Sequence, residues 1–349
     1  MTIKPSILEK ERILVVVDFP ERVTHGGIGK LQLQKTGKNV LDFSASVNPF
    51  PPHFTWNCDP KLLEYYPDDT YSILKERIGS VYGRDPSEIC VGNGSVEIIR
   101  AFCNVTLGRK GPGRRFFLEP PTFGEYELSA RLAGAERTAD PKDADVWFFC
   151  NPNNPTGTLH PKTGVLEMMG RIQPHGGILF CDEAFIALSD PEQSVADIRD
   201  PSLFVLHSLT KSFAVPGLRI GFGFGDANLV RQIETARSPW SVNAYAEAFT
   251  FEALLHLDEL AESRAAIAKA RDKLAAGLKN LGFSCHPTST NYILADYSGN
   301  VRKLCEDLAA KNILIRDCTS FGLPTCIRVA VRTDDENRQL LEALSRCVR

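Results

Sequence analysis

A chain of 349 residues with 43% hydrophobic content can bury a large core, and its length points to about two domains. Lysine and arginine (40) nearly balance aspartate and glutamate (43), for a formal net charge of -3, so there is no basic excess to make nucleic acid the main partner and any anion site must be local. The one strong apolar run near the start, Ile13 to Val17, ends at Asp18 and is too short for a signal-peptide core or a membrane span, so the expectation is a cytoplasmic protein without membrane contact.

The ten cysteines are scattered, with no Cys-x-x-Cys pair and no Cys/His cluster at metal spacing. Cys150 and Cys181 end apolar runs, where free cysteine behaves as a small buried hydrophobe, and no metal is expected.

In chain order, residues 1–40 carry no long periodic element, and His25-Gly26-Gly27 reads as a turn bearing an imidazole. Val40 to Ser44 predicts a short strand, and Asn48-Pro49 a turn. Tyr65-Tyr66-Pro67-Asp68 is a second turn, leading into a helix with Ile73, Ile78 and Val81 on its apolar stripe. From about residue 90 buried strands alternate with helices, the pattern of an α/β sheet with crossover connections. Val91-Gly92-Asn93-Gly94-Ser95 opens a helical pattern at Val96; such glycines let backbone N–H groups approach an anion, although Gly-Asn-Gly is also an ordinary turn. Phe116 to Leu118 runs into Pro120-Pro121-Thr122-Phe123, and a helix follows over about 124–133.

Val146 to Cys150 is a continuous apolar run, as for a strand buried on both faces, and it empties into Asn151-Pro152-Asn153-Asn154-Pro155-Thr156-Gly157. Ile178 to Cys181 ends in Asp182-Glu183-Ala184-Phe185, and Leu203 to Leu206 ends in Ser208-Leu209-Thr210-Lys211. Polar residues thus recur at the carboxyl ends of apolar strands, where open α/β sheets place their ligands. Lys211, flanked by hydroxyls and followed by Arg219, suits an aldehyde cofactor held by its phosphate, with a Schiff base at the lysine; alone, the segment also reads as a strand-to-turn passage with an exposed lysine. A strand resumes over 218–224, Pro239 to Asn243 is a turn, and one long helical stretch runs to about Leu281. Strands at 292–295, 313–316 and 327–331 and a helix at about 301–311 complete a smaller α+β unit.

Taken in order, Asn-Pro-Asn-Asn-Pro-Thr-Gly at 151–157, Asp-Glu-Ala-Phe at 182–185, Ser-Leu-Thr-Lys at 208–211 and Pro-Gly-Leu-Arg at 216–219 resemble the fold-type I pyridoxal-phosphate enzymes over almost the whole chain. The resemblance implies an α/β fold: a large domain with a mostly parallel seven-stranded sheet flanked by helices, plus a smaller α+β domain. It divides the chain into an N-terminal arm and part of the small domain (1–44), a large cofactor-binding domain (45–245), and a connecting helix with the C-terminal small domain (246–349). It implies pyridoxal 5'-phosphate as cofactor, Lys211 as its Schiff-base lysine and acid/base, and Asp182 as partner of the ring nitrogen. Asn154 would bond the ring's 3-oxygen, Phe123 would stack on the ring, and Phe185 would border it. Gly94, Ser95, Val96, Ser208, Thr210 and Arg219 would cradle the phosphate.

Within that group, His25-Gly26-Gly27, Leu41 to Ala45, Tyr66-Pro67-Asp68, Pro239 to Ala244, Ile313 to Arg316 and Arg328 to Arg332 resemble the threonine-phosphate decarboxylases of cobalamin biosynthesis, with histidinol-phosphate aminotransferases as their nearest relatives. The expected reaction is loss of carbon dioxide from O-phospho-L-threonine to give (R)-1-amino-2-propanol phosphate; the alternative is amino transfer on histidinol phosphate or a related amino acid. Phe185, where aminotransferases usually carry tyrosine, and the His25-Gly26 arm favour the decarboxylase, whereas Ser46 stands where its pattern usually has asparagine. Arg316 and Arg328 would clamp the carboxylate and the phosphate in an undetermined order. Asn154 and Ser46 would border the substrate, and Tyr66 would reach it from a neighbouring subunit of a homodimer.

Overall fold

The structure, a computed structural model, describes residues 19–27, 40–108 and 113–348; the apolar run at 13–17 lies outside them. A short strand, β1 (Leu41–Asp42), precedes the strands of the main sheet: β2 (Ile89–Gly92), β3 (Arg115–Phe117), β4 (Glu136–Arg137), β5 (Val146–Cys150), β6 (Ile178–Asp182), β7 (Leu203–His207) and β8 (Gly221–Phe224). These form the expected seven-stranded sheet in the order β2-β8-β7-β6-β5-β3-β4. Only β8 runs antiparallel to its neighbours; β3 to β7 pair in parallel.

The continuous apolar runs are explained by helices on both faces. Trp147, Leu179, Cys181, Val205 and Phe222 point into one core, beneath the helices Ser72–Tyr82, Lys162–Ile172 and Ala244–Ala253. Their sequence neighbours Val146, Phe148, Phe180, Phe204 and Leu206 point into the other, beneath Ser95–Cys103, Glu125–Leu132 and Ala227–Ala236. Each fully buried ring contributes about 1.5–3 kcal/mol, so the sheet is a stiff platform for the loops at its carboxyl edge.

The second sheet contains β9 (Ser284–Cys285), β10 (Tyr292–Asp296), β12 (Arg316–Asp317) and β13 (Cys326–Ala330), antiparallel in the order β12-β13-β10-β9. Between β10 and β12 lies β11 (Ile313–Leu314), which pairs in parallel with β1 and so ties the residues after the amino-terminal segment to this unit. One face of this sheet packs through Ile293, Ala295, Ile327 and Val329 on the helices Leu260–Asn280, Val301–Ala309 and Asp334–Ser345. The opposite face carries Tyr292, Arg316 and Arg328 toward the main sheet's carboxyl edge.

Three expectations are corrected. The helix Ser72–Tyr82 buries Leu74 and Ile78, whereas Ile73 and Val81 are exposed. Its rotation follows from the buried Tyr71 just before it, whose hydroxyl exchanges hydrogen bonds with the Val242 backbone and whose ring lies under Arg237. The single long helix to Leu281 is two, Ala244–Ala253 and Leu260–Asn280, because Leu255 and His256 make tightened i→i−3 bonds while Leu254 and Leu257 turn into the core. The strand expected from 218 starts at Gly221, since Arg219 has φ +61° and turns out of the sheet.

All ten cysteines are free, and Cys150 and Cys181 are buried. Among the described residues no helix is long and apolar enough to cross a membrane.

Candidate active site

The carboxyl ends of β5, β6 and β7 open onto one cavity of about 420 Å³, closed on its far side by the second sheet and by residues 23–26. The lysine segment is a four-residue helical turn, Leu209–Ser212, directly after β7. Ser208 caps it by accepting from the Thr210 N–H at 3.3 Å. Asn48, read from sequence only as a turn, anchors the same turn: its N–H donates to the Lys211 carbonyl at 2.9 Å and its side chain to the Ser212 carbonyl at 2.8 Å. The lysine side chain therefore enters the cavity from a backbone held at both sides.

Removal from water, reinforced by Arg328 and Arg219, lowers the Lys211 ammonium to about 8. At pH 7 roughly one amine in ten is then neutral, against about one in several thousand for an ordinary lysine. Because the neutral amine is the nucleophile, aldehyde uptake by the apoprotein is expected to accelerate close to tenfold per pH unit from 6 and to level off above about 8. Stopped-flow absorbance checks this; a plateau reached only near 10 would contradict it.

Asp182 ends β6 with its side chain in the cavity wall. It accepts from the Tyr126 hydroxyl at 2.6 Å and from the Ala184 N–H at 2.9 Å. Burial pushes its carboxyl up, and these two donors oppose that shift. Among the described residues no lysine, arginine or histidine forms an ion pair with it, so this donor set suits a ligand that presents a cationic N–H. Glu183, next in sequence, points the other way and is satisfied by Ser194, Val195 and His207.

At another edge, Ser95 and Val96 begin the helix Ser95–Cys103 beside Ser208, Thr210 and Arg219, which together suit a phosphate. Glycine is required on both sides of this corner. A Cβ on Gly221 would stand 2.7 Å from the Ser95 backbone nitrogen, and Gly94 has φ +79°, a conformation that residues with a side chain rarely adopt. Gly94 itself is behind Arg219 and outside the cavity lining.

Asn154, Phe123 and Phe185 also line the cavity. Asn154 accepts from Arg328, and Phe185 packs edge-on to Tyr292, whose hydroxyl is committed to the Asn153 carbonyl at 2.7 Å. The wall at Phe185 is therefore apolar. Ser46 is buried at the lining, and among the described residues its hydroxyl oxygen has no hydrogen-bond partner, a polar atom available to a ligand.

Arg316 and Arg328 are only 7% and 6% exposed and are direct cross-strand partners. Arg316 donates to the Thr24 carbonyl and the Ser320 hydroxyl, each at 2.6 Å, and Arg328 to the Ser44 carbonyl at 3.0 Å. Neither has a carboxylate at ion-pair distance among the described residues. His25 and Gly26 reach the same cavity, where His25 Nε2 lies 2.8 Å from Glu125 and Gly27 donates to the Ser44 hydroxyl at 2.8 Å. Tyr66 does not reach it within this chain: it is 78% exposed and packs on Trp240.

Residues of the site that the sequence reading gave no role in it include Tyr126, Glu125, Ser44, Ala184 and Ser320. Tyr126 had a usable signal, since it lies three residues after Phe123 at the start of a helix, the spacing that puts two side chains on one face. Glu125 and Ser44 enter through contacts between distant segments, whereas Ala184 and Ser320 meet Asp182 and Arg316 from two and four residues away.

A buried lysine of lowered basicity, a strand-end carboxylate, a phosphate-sized corner of hydroxyls, N–H groups and arginine, and a seven-stranded α/β platform define a pyridoxal-phosphate enzyme of fold type I. Residues 56–344 match the family described as aminotransferase class I and II, and the chain belongs to that family. Its cofactor is pyridoxal 5'-phosphate. Similar sequences include a histidinol-phosphate aminotransferase from Symbiobacterium thermophilum, 31% identical over 80% of this chain and 81% of the relative. A sequence provisionally named threonine-phosphate decarboxylase from Caldanaerobacter subterraneus subsp. tengcongensis is also 31% identical, over 90% of this chain and 94% of the relative. The fold is shared with the histidinol-phosphate aminotransferase of Sinorhizobium meliloti, solved in complex with pyridoxal-5'-phosphate, at TM-score 0.80 and 20% identity, covering 93% of this chain and 95% of that one.

Proposed function

We propose that this enzyme removes the carboxylate of O-phospho-L-threonine as carbon dioxide and returns a proton to the same carbon, giving 1-amino-2-propanol phosphate. The observation that carries the reading is the pair of buried guanidinium groups at Arg316 and Arg328. Like charges directly opposite on a sheet are destabilising, and burying them without carboxylates adds to the cost, so such a pair suits a substrate bearing two anionic groups on a short frame. O-phospho-L-threonine has a carboxylate and a phosphate; histidinol phosphate has only the phosphate. The apolar wall at Phe185 also supports this reading, since a tyrosine hydroxyl there would have bonded the cofactor's 3-oxygen.

When bound, pyridoxal phosphate supplies an electron-accepting ring joined to the substrate amine. The protein's own residues then decide the outcome. Asp182, held by Tyr126 and Ala184, keeps a proton on the ring nitrogen. Arg316 and Arg328 would hold the two anions and so orient the bonds at the α-carbon. Lys211, whose basicity burial lowers, would return the proton to that carbon. His25 and Gly26 cover the anion end beside Arg316.

Amino transfer from histidinol phosphate or a related amino acid is the second reading, and the comparisons favour it over the first, because most of the similar curated sequences carry that name. Two arginines would there serve a dicarboxylate amino acceptor. The two readings separate in one assay. With O-phospho-L-threonine and no 2-oxo acid, carbon dioxide is expected in equal amount to an amine product. Turnover of histidinol phosphate with 2-oxoglutarate alone would overturn decarboxylation.

The division at residues 44 and 245, a cytoplasmic location and a homodimer complete the proposal. The exposed Tyr66 and Trp240 would face the second subunit, and light scattering tests that.

A further inference from the structure

The second sheet carries a group of side chains that the reaction does not use. His286, Asp296 and Cys326 are far apart in sequence, yet their ligand atoms all lie within 4.8 Å of one another. Pairing places them: Asp296 is the direct cross-strand partner of Cys326 on β13 and of Ser284 on β9, and the His286 N–H donates to the Leu294 carbonyl at 2.9 Å, extending the β9–β10 pairing. All three side chains lie on the face that also carries Arg328, two residues along β13 from Cys326.

Asp296 already bridges the other two. One carboxylate oxygen lies 2.8 Å from His286 Nε2, and the other accepts from the Cys326 thiol at 3.1 Å. Burial, with the hydrogen bond to Asp296, pushes the Cys326 thiol up to about 11, so it is protonated and unreactive without a cation. His286 and Asp296 are half-exposed, which leaves water free to approach from one side.

We propose that His286, Asp296 and Cys326 bind a borderline-soft divalent cation of the zinc class, with water as the fourth ligand. Imidazole, carboxylate and thiolate are the ligand types that suit zinc, and tetrahedral bonds of about 2.0–2.3 Å put ligand atoms about 3.5 Å apart. The contacts to Asp296, 2.8 Å from His286 and 3.1 Å from Cys326, go to different carboxylate oxygens and are shorter than that spacing, so small side-chain rotations within a cluster whose ligand atoms already lie within 4.8 Å of one another would admit the cation. The cation replaces the thiol proton, which is released to solvent, and ties β9, β10 and β13 together at the sheet edge.

Zinc chloride titrated into the holoenzyme, followed by calorimetry in two buffers of different ionisation enthalpy, tests this. One equivalent is expected to bind with net proton release and to raise the melting temperature. His286→Ala, at the exposed edge, and Cys326→Ser are each expected to weaken binding at least tenfold, while Cys305→Ser, outside the cluster, leaves it unchanged. Cobalt in place of zinc should give a thiolate charge-transfer band that Cys326→Ser removes. No zinc binding, or binding unaltered in both His286→Ala and Cys326→Ser, would overturn the site and leave the three residues as a hydrogen-bonded brace.

Discussion

Lys211→Ala is expected to abolish the near-visible absorbance of the lysine-linked cofactor and to lower turnover by on the order of 10³-fold or more. The size of the effect follows from position. Among the described residues, Lys211 is the lysine lining the cavity, and its backbone is pinned by Ser208 within the turn and by Asn48 from outside. The other cations lining the cavity are the guanidinium groups of Arg219, Arg316 and Arg328, which are poor proton carriers, and the His25 imidazole is held at Glu125. Cofactor is still expected to be retained through the phosphate corner, giving a spectrum of bound but unlinked aldehyde. Absorbance identical to that of the unsubstituted enzyme would contradict the assignment. Activity retained with an altered spectrum would remove the proton-carrying role alone.

Asp182→Asn is expected to cost on the order of 10²–10³-fold in kcat/KM, with near-normal folding. Asparagine keeps the shape at the end of β6, but Tyr126 and Ala184 donate to different carboxylate oxygens, so its one carbonyl can accept from only one of them. What it removes is the negative charge that keeps a proton on the ring nitrogen, without which the ring is a weaker electron acceptor. Tyr126→Phe separates the two contributions. It removes one hydrogen bond but leaves the charge, so a loss of about ten- to thirtyfold is expected, at the low end of the roughly 1.5–3 kcal/mol for a bond to a charged group. Steady-state kinetics with the unfolding midpoint measured alongside checks both; a collapse in stability for Asp182→Asn would make its kinetic loss uninterpretable as chemistry and contradict the expectation.

Much of this site was legible in sequence because its residues sit at the ends of apolar strands. Asn154, Asp182 and Lys211 each follow a buried run on neighbouring strands, so strand order alone gathers them. The phosphate corner was legible for the same reason, with the qualification that Gly94 lies outside the cavity lining and serves through its positive-φ turn. Helix rotation was less legible: Ile73 and Leu74 are equivalent by hydrophobicity, and the anchoring of Tyr71 by Val242, distant in sequence, decides which is buried. The break between the helices ending at Ala253 and starting at Leu260 was hidden too, since the residues there favour helix and tertiary burial of Leu254 and Leu257 overrides them.

The zinc-class cluster marks the same boundary. His286, Asp296 and Cys326 have no metal-like spacing, and only the registers of β9, β10 and β13 bring them side by side. Local chemistry, meaning which residue types end which strands, was determined by the sequence itself, because the period of a buried strand and the turn residues after it are short-range properties. The partners of Arg316 and Arg328, the Tyr126 contact to Asp182 and the approach of His25 to Glu125 were decided by the tertiary structure. These contacts join segments whose separation in sequence carries no energetic signal until helices and sheets pack.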